Sequence, residues 1–179
     1  MPRLRDLAHD VRLFEIAGAF LRAAPQPYRV TLFEKSPRAN WLVVWHQDTA
    51  LPLCWRFDRP GWGPWSNKAG ICYAHAPAAA LSRIIALRIH LDDSLASNGP
   101  LRVIPGSHRL GIVDDAQIAS IVHRSTAVEC TIPKGGVVAM RPLIIHASSK
   151  TQSDVARRVL HIEYADALDL APGIRLARA

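Results

Sequence analysis

Residues 157–164 read Arg157-Arg158-Val159-Leu160-His161-Ile162-Glu163-Tyr164. Successive side chains of an extended strand point to opposite faces, so this stretch carries two different surfaces. Arg157, Val159, His161 and Glu163 make the more polar one. Arg158, Leu160, Ile162 and Tyr164 make the more apolar one. Residues 83–92 repeat the pattern, with Ala86, Arg88, His90 and Asp92 on one face and Ile85, Leu87, Ile89 and Leu91 on the other. Two strands of this kind, side by side, would turn a polar wall toward a cavity and an apolar wall toward a core.

Working outward, further short runs of β-formers punctuated by turn residues occur at 28–34, 41–45, 53–57, 101–104, 127–132, 137–140 and 143–146. Pro133-Lys134-Gly135-Gly136 predicts a hairpin, because glycine permits positive φ. Helical spacing is confined to residues 8–23, ended by Pro25 and Pro27, and to 115–122. Many short strands without a βαβ rhythm predict a sandwich or barrel. Residues 59–77 read as a long irregular loop, a common wall for binding sites, with Trp62, Trp65, Tyr73 and His75 as substrate-binding candidates. His90, on the polar face of 83–92, is a further one. The competing reading of the aromatic group is a small satellite core.

A chain of 179 residues, 49% hydrophobic and 21% charged, can bury a core as one domain without staples. The formal charge is +7, yet the basic residues are scattered and form no Lys/Arg block. That argues against nucleic acid and favours a small-molecule substrate, anionic in character. Three widely spaced cysteines argue for a reducing compartment. No stretch is apolar enough to span a bilayer, and Asp6, Asp10 and Glu15 argue against a leader, so a cytoplasmic protein is expected. A homo-oligomer stays open.

Chemistry enters with Trp45-His46-Gln47-Asp48 and, far downstream, Leu143-Ile144-Ile145-His146. His46 and Asp48 project together from an extended chain. With His146 they make two imidazoles and one carboxylate, a set that can cover one face of ferrous iron and leave the other open. A His-x-Asp pair alone arises often by chance, with a strand-end histidine and a turn cap as its bland reading. An arginine on 157–164 could hold a carboxylate through paired donors; the polar face selects Arg157 and leaves Arg158 as the fallback. Glycine-rich phosphate loops and G-x-S-x-G elbows are absent.

Three segments together resemble the phytanoyl-CoA dioxygenase family. They are Arg88-Ile89-His90-Leu91-Asp92-Asp93 with Asn98-Gly99-Pro100-Leu101 and Pro105-Gly106-Ser107-His108; Trp45-His46-Gln47-Asp48; and Pro142-Leu143-Ile144-Ile145-His146-Ala147-Ser148. The resemblance implies a mainly β fold, a double-stranded β-helix (a cupin-like jelly roll) with a few flanking helices. A helical segment over 1–27, a core over 28–165 and a tail over 166–179 would form a single domain. It implies a dioxygenase that binds Fe(II) through His46, Asp48 and His146, uses 2-oxoglutarate and O2, and hydroxylates a C–H bond with release of succinate and CO2. Arg157 matches the position that binds the distal carboxylate of 2-oxoglutarate, and Ser148 a helper hydroxyl. Arg88 departs from the aromatic or apolar residue expected there and faces the 2-oxo acid or an acidic substrate. Retention of Asp48 favours hydroxylation over halogenation. The family's usual N-terminal helical region and loops are longer, so part of the substrate wall would come from elsewhere, such as a partner subunit. The rivals are a non-oxidative jelly-roll enzyme on zinc or manganese and a non-catalytic ligand-binding module.

Overall fold

The structure, a computed structural model, describes residues 6–178. After a short helical stretch at residues 6–8 comes helix α1 (Val11–Gly18), its first turn capped by the Asp10 carboxylate, which accepts the Arg12 backbone N–H at 3.0 Å. The helix is shorter than the 8–23 stripe: after Gly18 the backbone turns to deliver Pro25 to the first strand. In chain order follow β1 (Gln26–Lys35), β2 (Val43–His46), β3 (Ala50–Leu53), β4 (Trp65–Lys68), β5 (Ile71–His75), α2 (Ala78–Leu81), β6 (Ile84–His90) and β7 (Leu101–Val103). Then come α3 (Asp115–Arg124), β8 (Val128–Cys130), β9 (Val137–Met140), β10 (His146–Ser148), β11 (Arg157–Ala165), β12 (Asp169–Ala171) and β13 (Ile174–Arg175).

Two four-stranded antiparallel sheets face each other, ordered β1-β11-β6-β9 and β2-β10-β7-β8. This is the mainly β, cupin-like jelly roll expected from the sequence. The alternation along β6 and β11 sets its layers. Ile85, Leu87, Leu160, Ile162 and Tyr164 turn outward and pack under Leu13 and Ala17 of α1. Burying one such side chain fully contributes about 1.5–3 kcal/mol. Arg88, His161 and Glu163 turn inward. Between the sheets, Ala86, Leu101 and Met140 close one side with apolar contacts. The other side, between β1/β11 and β2/β10, stays open as a cavity of ≈ 270 Å³.

Local structure differs from the sequence expectations in several further places. Residues 59–77 are not irregular throughout: Ala69 (φ 50°) and Gly70 (φ 82°) turn β4 into β5, and the pair extends the β3 edge as a three-stranded sheet. Pro133–Gly136 is a tight turn, with Gly136 N–H donating to Pro133 O at 2.9 Å, but no hairpin: β8 and β9 belong to different sheets. The turn carries the chain across the sandwich. The strands expected at 53–57 and 143–146 form instead at Ala50–Leu53 and His146–Ser148, because pairing partners, not apolar runs, decide where ladders begin. Within the expected tail, residues 169–175 form the β12–β13 hairpin; its Ile174 and the following Leu176 are buried with Leu51 and Leu53. Residues 1–5 and 179 of the expected terminal segments lie outside the described residues. Within those described, no helix is long and apolar enough to cross a membrane.

Candidate metal centre and cavity

His46 ends β2 and His146 begins β10, and the antiparallel register sets them directly opposite one another. Their ring centroids are 4.2 Å apart. Asp48 completes the group: its carboxylate oxygens lie 3.6 Å from His46 Nε2 and 3.5 Å from His146 Nε2. One ligand atom from each residue falls within 4.8 Å of the others. The intervening Gln47 explains why residues 46 and 48 project together. Its amide turns the opposite way, donating to Gly111 O and Leu143 O at 2.8 Å each and accepting from Val113 N at 3.0 Å. Asp48 N–H donates to Pro142 O at 2.9 Å, which pins the segment beside the chain leading to His146.

Both imidazoles are oriented by their own strands. Nδ1 of His46 meets Val44 O at 2.8 Å, and Nδ1 of His146 meets Ile144 O at 2.8 Å. A carbonyl only accepts, so Nδ1 carries the proton and Nε2 presents its lone pair inward, the tautomer a metal ligand needs. The Asp48 carboxylate beside it raises the pKa of His46, while burial lowers that of His146. Burial opposes ionisation of Asp48, but the adjacent His46, with His146 and His161 nearby, wins and holds the carboxyl below its ordinary range. Two nitrogen donors and an ionised oxygen donor fit a borderline divalent metal such as ferrous iron, and no cysteine joins them.

A second cluster occupies one corner of the same cavity. Arg157, 4% exposed, donates through Nη2 to Gly99 O at 2.8 Å and through Nε to Asn98 O at 3.2 Å. Ser148 Oγ donates to Gly99 O at 3.0 Å. Lys35, register partner of Arg157, donates through Nζ to Ser148 Oγ at 2.5 Å and to Ser149 O at 2.6 Å. Burial, with the charges of Arg157 and Arg88, pushes the lysine down to about 8. Two cations and a hydroxyl thus converge where a carboxylate would fit. Arg158 faces the other way and pairs with Asp92 in solvent, Nε to Oδ2 and Nη2 to Oδ1 both at 2.8 Å. Sequence reading missed Lys35; its signal was the alternation of Phe33 and Lys35 on the inner face of β1.

The Asn98-Gly99-Pro100 and Pro105-Gly106-Ser107 turns support these clusters. Gly99 has φ 68°, and a Cβ there would collide with Ser149 O. Asn98, buried, accepts from Leu95 N and donates to Asp93 O, both at 2.8 Å. Ser107 Oγ accepts from Ile145 N at 2.8 Å, fixing the residue before His146.

Arg88 lines the cavity, its guanidinium over Phe33 (5.4 Å) and Nη1 3.3 Å from His161 Nδ1. His90 shares that face but lies beyond the lining, 1% exposed, with neither ring nitrogen hydrogen-bonded; burial and the charges of Arg88 and Arg157 push it down to about 4. The expectation that 59–77 walls this cavity is corrected. Trp62 and Trp65 pack on Phe57, at 5.4 and 5.0 Å between ring centroids, against the core below. Tyr73 is buried between the Arg29 and Lys68 cations. His75, bonded to Thr49 Oγ1 at 2.7 Å, lines a separate groove that reaches His46. Hairpin formation turned these side chains away.

Comparison with known proteins places the family and the fold. The phytanoyl-CoA dioxygenase family profile matches residues 2–159. An L-proline trans-4-hydroxylase of Streptomyces griseoviridis is 31% identical over 163 residues, covering 76% of this chain and 52% of that protein. The chain thus spans about half the length of this curated relative. Among solved structures, AviO1 from Streptomyces viridochromogenes Tue57 has a TM-score of 0.64 at 29% identity, covering 90% of this chain and 60% of its own. EctD from S. alaskensis with bound Fe has a TM-score of 0.69 at 23% identity, covering 99% and 56%, a likeness of fold.

Proposed function

The chain belongs to the phytanoyl-CoA dioxygenase family, and from that premise we propose that it is an Fe(II)- and 2-oxoglutarate-dependent dioxygenase. Its reaction consumes O2 and 2-oxoglutarate, releases succinate and CO2, and hydroxylates a C–H bond of a small organic substrate. What carries this reading is one cavity holding both the His46/Asp48/His146 group and the Lys35/Ser148/Arg157 corner. A metal-binding jelly roll without oxidative chemistry would need only the first.

His46, Asp48 and His146 would hold the iron, which supplies oxygen activation when bound. The chain's own residues do the rest. The Val44 and Ile144 carbonyls keep both Nε2 lone pairs inward. Arg157 and Lys35 receive the distal carboxylate of 2-oxoglutarate, and Ser148 exchanges its lysine contact for that carboxylate. Arg88 adds positive potential on the wall beside the 2-oxo acid. The apolar contacts of Ala86, Leu101 and Met140 exclude water from the closed side.

Anaerobic calorimetry with 2-oxoglutarate, with and without Fe(II), tests the reading. Metal-dependent binding is expected, weakened roughly 10- to 100-fold in Arg157→Ala, since a sheltered charge-assisted pair contributes about 1.5–3 kcal/mol. Metal binding without 2-oxoglutarate binding would replace the proposal with the non-oxidative jelly roll.

A further inference from the structure

One carboxyl group in the cavity has no part in the chemistry above. Glu163 is 7% exposed and lines the cavity at the far end of the inner face of β11. Along that face, Lys35 stands opposite Arg157, His161 opposite Arg88, and Glu163 opposite Arg29. Six residues of strand separate Arg157 from Glu163, about 20 Å. A five-carbon diacid anchored at Arg157 cannot span that distance, so the Glu163 end belongs to whatever else the cavity admits.

The carboxyl is held but not saturated. Tyr28 Oη donates to Oε1 at 3.1 Å. Arg29 Nε stands 3.1 Å from Oε2, yet that oxygen makes no hydrogen bond of acceptable geometry. Burial pushes Glu163 up to about 7, with Arg29 opposing and the Asp48 charge adding to the rise. One guanidinium therefore does not offset the cost of burying this charge. In both charge and hydrogen bonding, Glu163 is short of one donor.

We propose that Glu163, steadied by Tyr28 and Arg29, is a specificity-determining residue that receives a protonated amine of the primary substrate, so that the substrate is a small amino acid or related amine. This rests on the oxygenase reading above. An ammonium delivers both the missing donor and the missing charge, which a neutral or purely anionic substrate does not.

The test is calorimetry on the Fe(II)- and 2-oxoglutarate-loaded protein without oxygen. The probes are L-proline against cyclopentanecarboxylate, and a panel of other L-amino acids, each against its des-amino acid. Wild type should bind at least one amine-bearing probe about 10-fold more tightly than its partner, the scale of one hydrogen bond to a charged group. Glu163→Gln should erase that preference while 2-oxoglutarate binding persists, and Glu163→Asp should restore part of it. The proposal is overturned if no probe outbinds its des-amino partner in wild type, or if Glu163→Gln keeps the preference. Should Glu163→Gln fail to fold, Tyr28→Phe decides: a reduced preference supports the proposal and an unchanged one refutes it. Failure of 2-oxoglutarate itself to bind wild type would instead remove the oxygenase reading.

Discussion

The two faces of the central sheet are built from the same strands and do opposite work. On the outer face, Leu87, Leu160, Ile162 and Tyr164 are buried under α1 and leave no side-chain polar group without a partner; the Tyr164 hydroxyl donates to Ala8 O at 3.0 Å. On the inner face, Arg88, His90 and Glu163 retain buried polar atoms without hydrogen bonds. Unsatisfied buried groups cost stability, so proteins concentrate them where something else will bind. The outer face is finished by folding; the inner face keeps polar groups that folding does not satisfy.

Substitutions separate the two. The largest effect is expected from Asp48→Ala, which should abolish oxygen-dependent succinate formation and weaken Fe(II) binding while a cooperative unfolding transition persists; turnover at the wild-type rate would break the assignment of the inner face. Next comes Ile162→Ala on the outer face, 0% exposed. It should cost about 2–5 kcal/mol in denaturant unfolding, with 2-oxoglutarate affinity preserved in the folded fraction. An equal loss of affinity at full stability would mean that the faces are not independent. The smallest effect belongs to Arg158→Ala, at the solvent edge between them. Its pair with Asp92 is exposed and screened by solvent, so the unfolding midpoint should barely move and 2-oxoglutarate titration should match wild type, in contrast with Arg157→Ala.

Much of this contrast is legible in the sequence because the strand period is local. The alternation in 83–92 and 157–164 assigns Arg157 inward and Arg158 outward, and His46, Asp48 and His146 follow from residue type and motif. Other features depend on partners distant in sequence. Lys35 at the end of β1 looks like an ordinary surface lysine until register sets it against Arg157 and Ser148. Trp62 and Trp65 looked like cavity residues because the Ala69–Gly70 turn was concealed among neighbouring glycines and prolines. Gln47 carries no sequence signal beyond lying between two ligand candidates, yet its amide anchors the segment that carries both.

The sequence by itself determined which side chains share a face, the candidate donor set for a divalent metal and the mainly β class, since these rest on residue chemistry and a two-residue period. Only the tertiary structure decided that His46 faces His146, that Lys35 joins Arg157, and that Glu163 closes the far end of the same cavity. Each of these meetings is created by antiparallel register between strands remote in the chain, where a one-residue slip would turn every side chain to the other face.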